Sequence, residues 1–555
     1  MNVELVGSGP AAESVAAALA DTDAELGSDA PDLTVAVGPV GDLDIGHADR
    51  VITVELGGVG GHPVSGVDAA VSGVSPETGC FDCLRTRVEA NAEATDDGAF
   101  SPADARLAGA IAGREAARVV AGEESIFGRV IELPHAERDL FPVPGCACGT
   151  APDRTLDRSH EERPLDEAIG RAERAVDPRV GLIHELGEAE SFPAPYYLAT
   201  LAATTGFSDQ QAPQQAAGVA ANWNGAYMKG LGEALERYSA GVYRASEFHR
   251  APASMVPNAV SPAAFVLSPE FDAPDDSEPI NWVPGERLDT GAEAMLPAEF
   301  VAFPPPTHRH RPAITTGLGL GSSGVDALLS GLYEVVERDA AMLAWYSSFE
   351  PLGLAVEDEG FEELAKRARS EDLSVTTLLL TQDLDVPVVA ACVHREGAWP
   401  AFAAGMSANL DPVAAARGAL EEAVQNWMEL RGMGKQGATE ESGAIGHFAS
   451  FPRTAKEFVS PETTIPADSL GEGAVAGEAE LETLTDRVTA AGLTPYGVRT
   501  TPRDVEALGF EAVRVLVPEA QPLFTDTPYF GERAETVPEK LGFEPRLNRE
   551  HHPYP

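Results

Sequence analysis

The sequence predicts an α/β (α+β) protein in which a Rossmann-like domain, residues 1–150, precedes a larger second domain. Three observations carry this. Residues 3–20, VELVGSGPAAESVAAALA, read as a strand, a glycine turn and an alanine-rich helix. Two more apolar strand patterns follow, DLTVAVG and RVITVEL, and then a helix pattern over roughly residues 103–121. The stretch CGTAPDRTLDRSHEERP, residues 148–164, is polar, charged and turn-rich, and is the best boundary in the chain. It sets residues 151–163 as a linker and 164–555 as the second domain.

In chain order, the first turn carries Gly7-x-Gly9-x-x-Ala12, the pattern of a dinucleotide fingerprint. The alternative is a strand-to-helix turn that binds nothing. Next come two close cysteine pairs, Cys80-x-x-Cys83 in TGCFDCLRTR and Cys146-x-Cys148 in VPGCACG. Two such pairs, far apart in sequence, suggest zinc held by four thiolates. Disulfides and a redox Cys-x-x-Cys are the alternatives; the second does not explain the second pair. With four protein ligands such a zinc has no open position and is structural. Cys392, in VVAACVH, reads as a buried core thiol. After the linker, LDEAIGRAERAVDPRVGLIHEL gives a helix and a strand, and Pro/Asp-rich stretches at 267–279 and 302–312 read as loops. THRHRP, residues 307–312, is the densest basic spot; a solvated loop is the preferred reading and a phosphate or peptide contact the other.

Composition narrows the function classes. Apolar residues make up 44% of 555, which suits a globular chain. The net charge is −49, with Lys only at 229, 366, 435, 456 and 540. Nucleic-acid binding through a basic surface is therefore not expected. So acidic and Lys-poor a surface suits a very salty cytoplasm, where screening weakens self-repulsion. No run is long and apolar enough for a membrane span, and the start, MNVELVGSGP, lacks a signal-peptide pattern. The expected location is cytoplasmic.

The second domain holds an internal echo. GLGEALERYSA (230–240) and GLYEVVERDA (331–340) both contain Glu-x-x-Glu-Arg in apolar surroundings. Helical spacing places Glu233, Glu236 and Arg237 on one face, and Glu334, Glu337 and Arg338 on another. For either helix alone, surface i,i+4 pairing is the simpler reading. A third helix pattern, DPVAAARGALEEAVQNWMELR, carries Arg417, Glu421, Glu422 and Gln425, and each helix follows a glycine-containing stretch. Carboxylates gathered in one place repel unless cations offset them, as magnesium with a nucleotide triphosphate would.

These segments resemble the YcaO family. The resemblance rests on GLGEALERYS, TTGLGLGSSGVDALLSGLYEVVERDA, GMSANLDPVAAARGALEEAVQ, TPRDVEALGFEAVRVLVPEAQP and the terminal HHPYP, and covers about 164–555. Residues 1–150, with GCFDCLRTR and PGCACG, resemble the zinc-binding partner of azole-forming YcaO enzymes, a relative of ubiquitin-activating folds. The resemblance implies a magnesium–ATP site of a non-kinase type. Glu236, Glu337 and Glu422 would bind Mg2+, and Glu233 and Glu334 would support metal or nucleotide. Arg237 and Arg338 would sit near phosphate or hold the carboxylates, and Gly317 and Gly321 would allow close backbone approach. Arg417, beside Gly418 where the family often has arginine, is carried over as a nucleotide contact. Lys229 stands where the family usually has a small hydroxyl residue, GVA at 218–220 where it has GKG, and Thr316 at the place of a common Asn.

The implied activity is ATP-dependent cyclodehydration of Cys, Ser or Thr in a precursor peptide to azolines during peptide natural-product maturation. Peptide thioamidation and a non-catalytic scaffold or accessory role are the alternatives. The implied cofactors are ATP, Mg2+ and structural Zn2+. The implied partners are the peptide, an oxidase or other maturation enzyme, and a second copy in a homodimer. The proline-bearing tail, NREHHPYP, resembles a family tail that reaches the active site, which makes His552 and the Pro555 carboxylate the expected catalytic groups. The alternative is a frayed terminus.

Overall fold

The computed structural model describes residues 1–554 apart from 28–29, 46–48, 92–97, 124, 135, 151, 441–443 and 472–474. The first region contains β1 (Asn2–Val6), α1 (Pro10–Leu19), β2 (Glu25–Leu26), β3 (Leu33–Pro39), β4 (Val51–Leu56), β5 (Ala69–Val74), α2 (Phe81–Asn91), α3 (Pro102–Val120), β6 (Arg129–Leu133) and β7 (Ala136–Asp139). They form a seven-stranded sheet ordered β2-β1-β3-β4-β5-β6-β7. Pairing is parallel among β2, β1, β3 and β4, and antiparallel from β4 to β7. Side chains alternate across it: Val35 and Val37 meet α1 and α3 on one face, while Ala36 meets α2 on the other. Gly7 has φ +112°, and a Cβ there would run into the Val37 carbonyl. The first fingerprint glycine is thus demanded by the protein's own backbone and needs no ligand to explain it.

The second region runs from α4 (Leu165–Ala172) through β8 (Ile183–Glu190), β9 (Tyr196–Leu201), β10 (Gln215–Val219), α5 (Trp223–Gly241), β11 (His249–Pro252), β12 (Pro279–Arg287), β13 (Glu293–Pro297) and α6 (Ala298–Val301). It continues with β14 (Leu318–Gly321), α7 (Gly324–Trp345), β15 (Leu352–Ala355), α8 (Glu359–Ser370), β16 (Ser374–Leu379), β17 (Val388–His394), β18 (Phe402–Ala408) and α9 (Pro412–Ala438). It closes with α10 (Ile445–Phe448), α11 (Arg453–Phe458), β19 (Thr464–Pro466), α12 (Glu478–Ala490), β20 (Tyr496–Arg499), α13 (Arg503–Ala507), β21 (Glu511–Leu516) and α14 (Arg533–Leu541). Three sheets result, ordered β10-β9-β8, β11-β12-β20-β21-β14 with β13 beside β12, and β18-β17-β16-β15-β19. The central helix α7 is buried along nearly its whole length, in a cluster with β16, β17 and β18. Cys392 lies in β17 with no exposure, as a core thiol.

Residues 152–163 carry no regular secondary structure but are strapped to the second region. Arg154 donates to Arg499 O, Arg158 to Leu288 O, and Arg163 to Ser322 O and Gly509 O. The two regions also share a core: Cys83, Phe141 and Val143 pack with Ala172, Leu231, Tyr238 and Val505. The solvated-loop reading of THRHRP is corrected in its second half. His310 and Arg311 are buried, because the Arg311 guanidinium stacks 4.4 Å from the Phe300 ring and Glu299 gathers the Arg309 and His310 backbone amides.

Candidate functional site

Each sheet of the second region has as one end strand a strand that leads directly into a long helix: β10 into α5, β14 into α7, β18 into α9. Asn222, Ser323 and Asp411 cap these helices by accepting backbone N–H groups in the first turn. In every unit a backbone amide at or beside the strand holds one glutamate of the helix. Ala217 N donates to Glu233 (3.1 Å, 16 residues apart), Gly317 N to Glu334 (3.0 Å, 17 apart), and Met406 N to Glu422 (16 apart). Glu422 is therefore the counterpart of Glu233 and Glu334. Gln425 and Asn426 occupy the places that Glu236/Glu337 and Arg237/Arg338 fill in the other two units. The two halves of the internal echo are two members of a threefold strand–helix repeat whose third copy carries amides.

The units converge on a cleft of about 830 Å³. Its lining is mixed, with Glu233, Arg237, Arg338, Glu422, Gln425 and Glu429 among its polar residues and Leu198, Met428 and Met433 among its apolar ones. Arg237 pairs with Glu233 at 3.3 Å; Arg338 reaches Glu337 at 3.3 Å, Glu422 at 3.8 Å and Glu334 at 3.9 Å. The i,i+4 pairs of a surface helix are thus present, but Glu337 is only 8% exposed, and Glu236, Glu334 and Glu337 are not among the residues that line the cleft. Burial pushes Glu236 up to about 7, opposed by Arg237 and reinforced by Glu334 and Glu233. Glu337 is pushed up to about 8 by burial, with Arg338 opposing and Glu422 and Glu334 adding; Glu422 is raised for the same first reason. Among the described residues, Arg237 Nη1 and Arg338 Nη1 are buried donors with no hydrogen-bond partner. Raised carboxyls and orphaned guanidinium donors side by side suit a ligand carrying both cations and anionic oxygens. Among the described residues, no three of these carboxylates gather their oxygens within reach of one ion.

Some expected residues lie elsewhere. Arg417 does not line the cleft; its half-exposed side chain is committed to both oxygens of Asp358, the cap of α8. Gly418 faces Ser407, where a Cβ would crowd the hydroxyl. Gly317 has φ +91° and a Cβ would strike the Val515 carbonyl, while at Gly321 it would strike α7 at Ala327 N. Both glycines answer to internal packing. Lys229 pairs with Glu421 at 2.5 Å, and Glu421 also accepts from Ala221 N at 2.9 Å, which ties α5 to α9. Tyr196 and Glu429 were not expected. Glu429 continues the face of Glu422 and Gln425 along α9 and accepts from Gln425 at 3.0 Å and from Tyr196 at 3.3 Å. That spacing was readable in the sequence; Tyr196 left no local signal.

The tail is not frayed over its described part. Tyr554 is 3% exposed and packs on Trp345 and Phe458, and His552 is fully buried. His552 Nε2 lies 2.6 Å from Phe524 O, so that nitrogen carries the proton, and Nδ1 has no hydrogen-bond partner among the described residues. Burial first, then His551 and Arg338, drive its pKa down to about 3, so the imidazole is neutral. Pro555 lies outside the described residues.

In the first region Cys80, Cys83, Cys146 and Cys148 bring their sulfurs within 4.8 Å of one another. The closest pairs measure 3.5, 3.6 and 3.8 Å. These are far longer than a disulfide bond, and match the edge of about 3.8 Å of a tetrahedron with metal–sulfur bonds of about 2.3 Å. All four are free thiols. Among the described residues no helix is long and apolar enough to cross a membrane.

A family model described as "YcaO cyclodehydratase, ATP- and Mg2+-binding" matches residues 217–521, more than half of the chain. An uncharacterized protein of Methanothermobacter thermautotrophicus is 27% identical over 317 residues, covering 54% of this chain and 80% of its own. Among solved structures, a heterocyclase in complex with substrate and cofactor superimposes with TM-score 0.75 at 20% identity, over 100% of this chain and 85% of its own. The heterocyclase TruD gives 0.64 at 19%, over 98% and 81%. The YcaO of Methanopyrus kandleri bound with AMPPCP and Mg2+ gives 0.52 at 25%, over 66% and 95%. The fold is that of the heterocyclases along its full length, and the chain belongs to the YcaO family of ATP- and Mg2+-binding cyclodehydratases.

Proposed function

We propose that the chain is an ATP- and Mg2+-dependent peptide cyclodehydratase that converts Cys, Ser or Thr of a precursor peptide to azolines. The observation that carries this is the convergence of three strand–helix units on one cleft, with raised carboxyls beside the Nη1 donors of Arg237 and Arg338, which have no hydrogen-bond partner among the described residues. Glu236, Glu337 and Glu422 would hold Mg2+, with Glu233 and Glu334 supporting them, and Arg237 and Arg338 would take phosphate oxygens. When bound, magnesium–ATP supplies the phosphoryl group that turns an amide oxygen into a leaving group.

The chain's own residues then do three things. The backbone amides of Ala217, Gly317 and Met406 fix the carboxylates before any ligand arrives, so little reorganisation is needed. Arg237 and Arg338 offer charge where it accumulates on the phosphoryl oxygens. His552 is carried over from the resemblance as the group that would accept the proton of the attacking thiol or hydroxyl; its complete burial and lowered pKa oppose that role in the ligand-free fold. Four-thiolate zinc would tie Cys80, Cys83, Cys146 and Cys148 together without an open position. Residues 1–150 would serve as the peptide-docking partner domain.

Calorimetry with AMPPCP and Mg2+ on the wild type and on Glu236→Gln tests the site. Binding by the first and its loss in the second is expected; equal binding by both would remove the assignment. Incubation with ATP and a Cys/Ser/Thr-containing peptide tests the chemistry: loss of one water per ring marks cyclodehydration, whereas an oxygen-to-sulfur mass change with added sulfide marks thioamidation.

A further inference from the structure

We propose that Arg87, in the first region, is a positioning residue for the cleft, acting through Tyr238 on the helix that carries Glu233, Glu236 and Arg237. The inference rests on the nucleotide reading of that cleft. Arg87 lies one turn after Cys83 on α2, and its side chain and that of Asp504 are wholly buried. The guanidinium donates to Asp504, to Tyr238 Oη at 3.2 Å and to Pro142 O at 3.2 Å. Tyr238 Oη in turn donates to Asp504 Oδ2 at 2.6 Å. Four segments, two from each region, therefore meet at one planar fork.

Every segment around it leads to the cysteine cluster or to the cleft. Pro142 opens the loop that carries Cys146 and Cys148, and the next residue, Val143, donates its N–H to Cys83 Sγ at 3.3 Å. Arg503, beside Asp504, reaches back to Cys148 Sγ at 3.5 Å and to Pro76 O at 2.9 Å. Tyr238 directly follows Arg237 in α5. A buried ion pair is a weak source of net stability compared with apolar residues of the same volume. What it supplies is geometry, because arginine's fork admits few orientations of its partners. Fixing the phenol of Tyr238 fixes the rotation of α5 about its axis, and with it the direction in which Glu233 and Arg237 face the cleft. Local helix contacts do not supply this, since the partners lie 151 and 417 residues from Arg87.

The test uses the full-length protein in its holo form, with Mg–AMPPCP as probe. Tyr238→Phe removes only the phenol oxygen and leaves the Arg87–Asp504 pair. It is expected to weaken Mg–AMPPCP binding at least threefold and to speed hydrogen exchange over residues 223–241, with the metal content of the cysteine cluster unchanged. Arg87→Lys, which keeps the charge but loses the fork, is expected to weaken binding tenfold or more. If Arg87→Lys fails to fold, Tyr238→Phe still decides. Wild-type affinity in Tyr238→Phe, beside lost binding in Glu236→Gln, would overturn this inference alone. Normal binding in Glu236→Gln would overturn the nucleotide reading and this inference with it.

Discussion

Replacing Glu337 by Gln should stabilise the ligand-free fold while removing ligand binding. Burial raises the Glu337 carboxyl from the ordinary 4.5 to about 8, so between those values the folded state keeps a proton that the unfolded state has lost. The sign follows: stability falls as pH rises from about 4.5 to about 8, because folding must hold either the proton or an unfavourable charge. At pH 7.5 the difference is about three pKa units, or about 4 kcal/mol as an upper bound at 1.36 kcal/mol per unit. Gln mimics the protonated form and carries no such cost. Its oxygen can still accept from Ala408 N, but the 3.3 Å contact to Arg338 becomes uncharged, so a net gain of about 1–4 kcal/mol is expected. Chemical unfolding of both proteins, without Mg2+ or nucleotide, should show midpoints that coincide near pH 5 and diverge toward pH 8. A difference independent of pH, a variant less stable at pH 8, or undiminished Mg–AMPPCP binding would refute the reasoning.

Further outcomes can be measured directly. One zinc per chain is expected by metal analysis; Cys80→Ser should lose it, and because Cys83 and Phe141 share a core with Leu231 and Tyr238, hydrogen exchange should rise in α5 as well as in residues 1–150. The melting temperature should climb steeply between 0.01 M and molar salt, since the net charge of −49 acts over a Debye length of about 30 Å at the lower value; a salt-independent midpoint would remove the halophilic reading. His552→Asn should slow azoline formation more than tenfold while Mg–AMPPCP binds normally; full dehydration activity would exclude a proton-accepting role. Deleting 551–555 should also lower the melting temperature, because Tyr554 packs against Trp345 in the core.

Local chemistry explains what was legible beforehand. Glu-x-x-Glu-Arg declares one helix face because its spacing matches the helical period, and two cysteine hairpins announce a four-sulfur cluster because few other arrangements need them. The sequence by itself also determined the strand–turn–helix opening, the buried Cys392, the acidic surface and the family likeness. Only the tertiary structure decided which residues meet. Glu422 proved the counterpart of Glu233 and Glu334 because Met406 N holds it, a bond that depends on how β18 lies on α9. Arg417 is drawn to Asp358 by the placement of α8, 59 residues away. Gly317 answers to the Val515 carbonyl on a neighbouring strand, and Arg311, still in its loop, is buried against the rings of Phe300 and Phe265. Helical periodicity and ligand type are properties of short segments, whereas burial, partner choice and the Arg87–Asp504–Tyr238 contact depend on chain folding that brings together residues hundreds of positions apart.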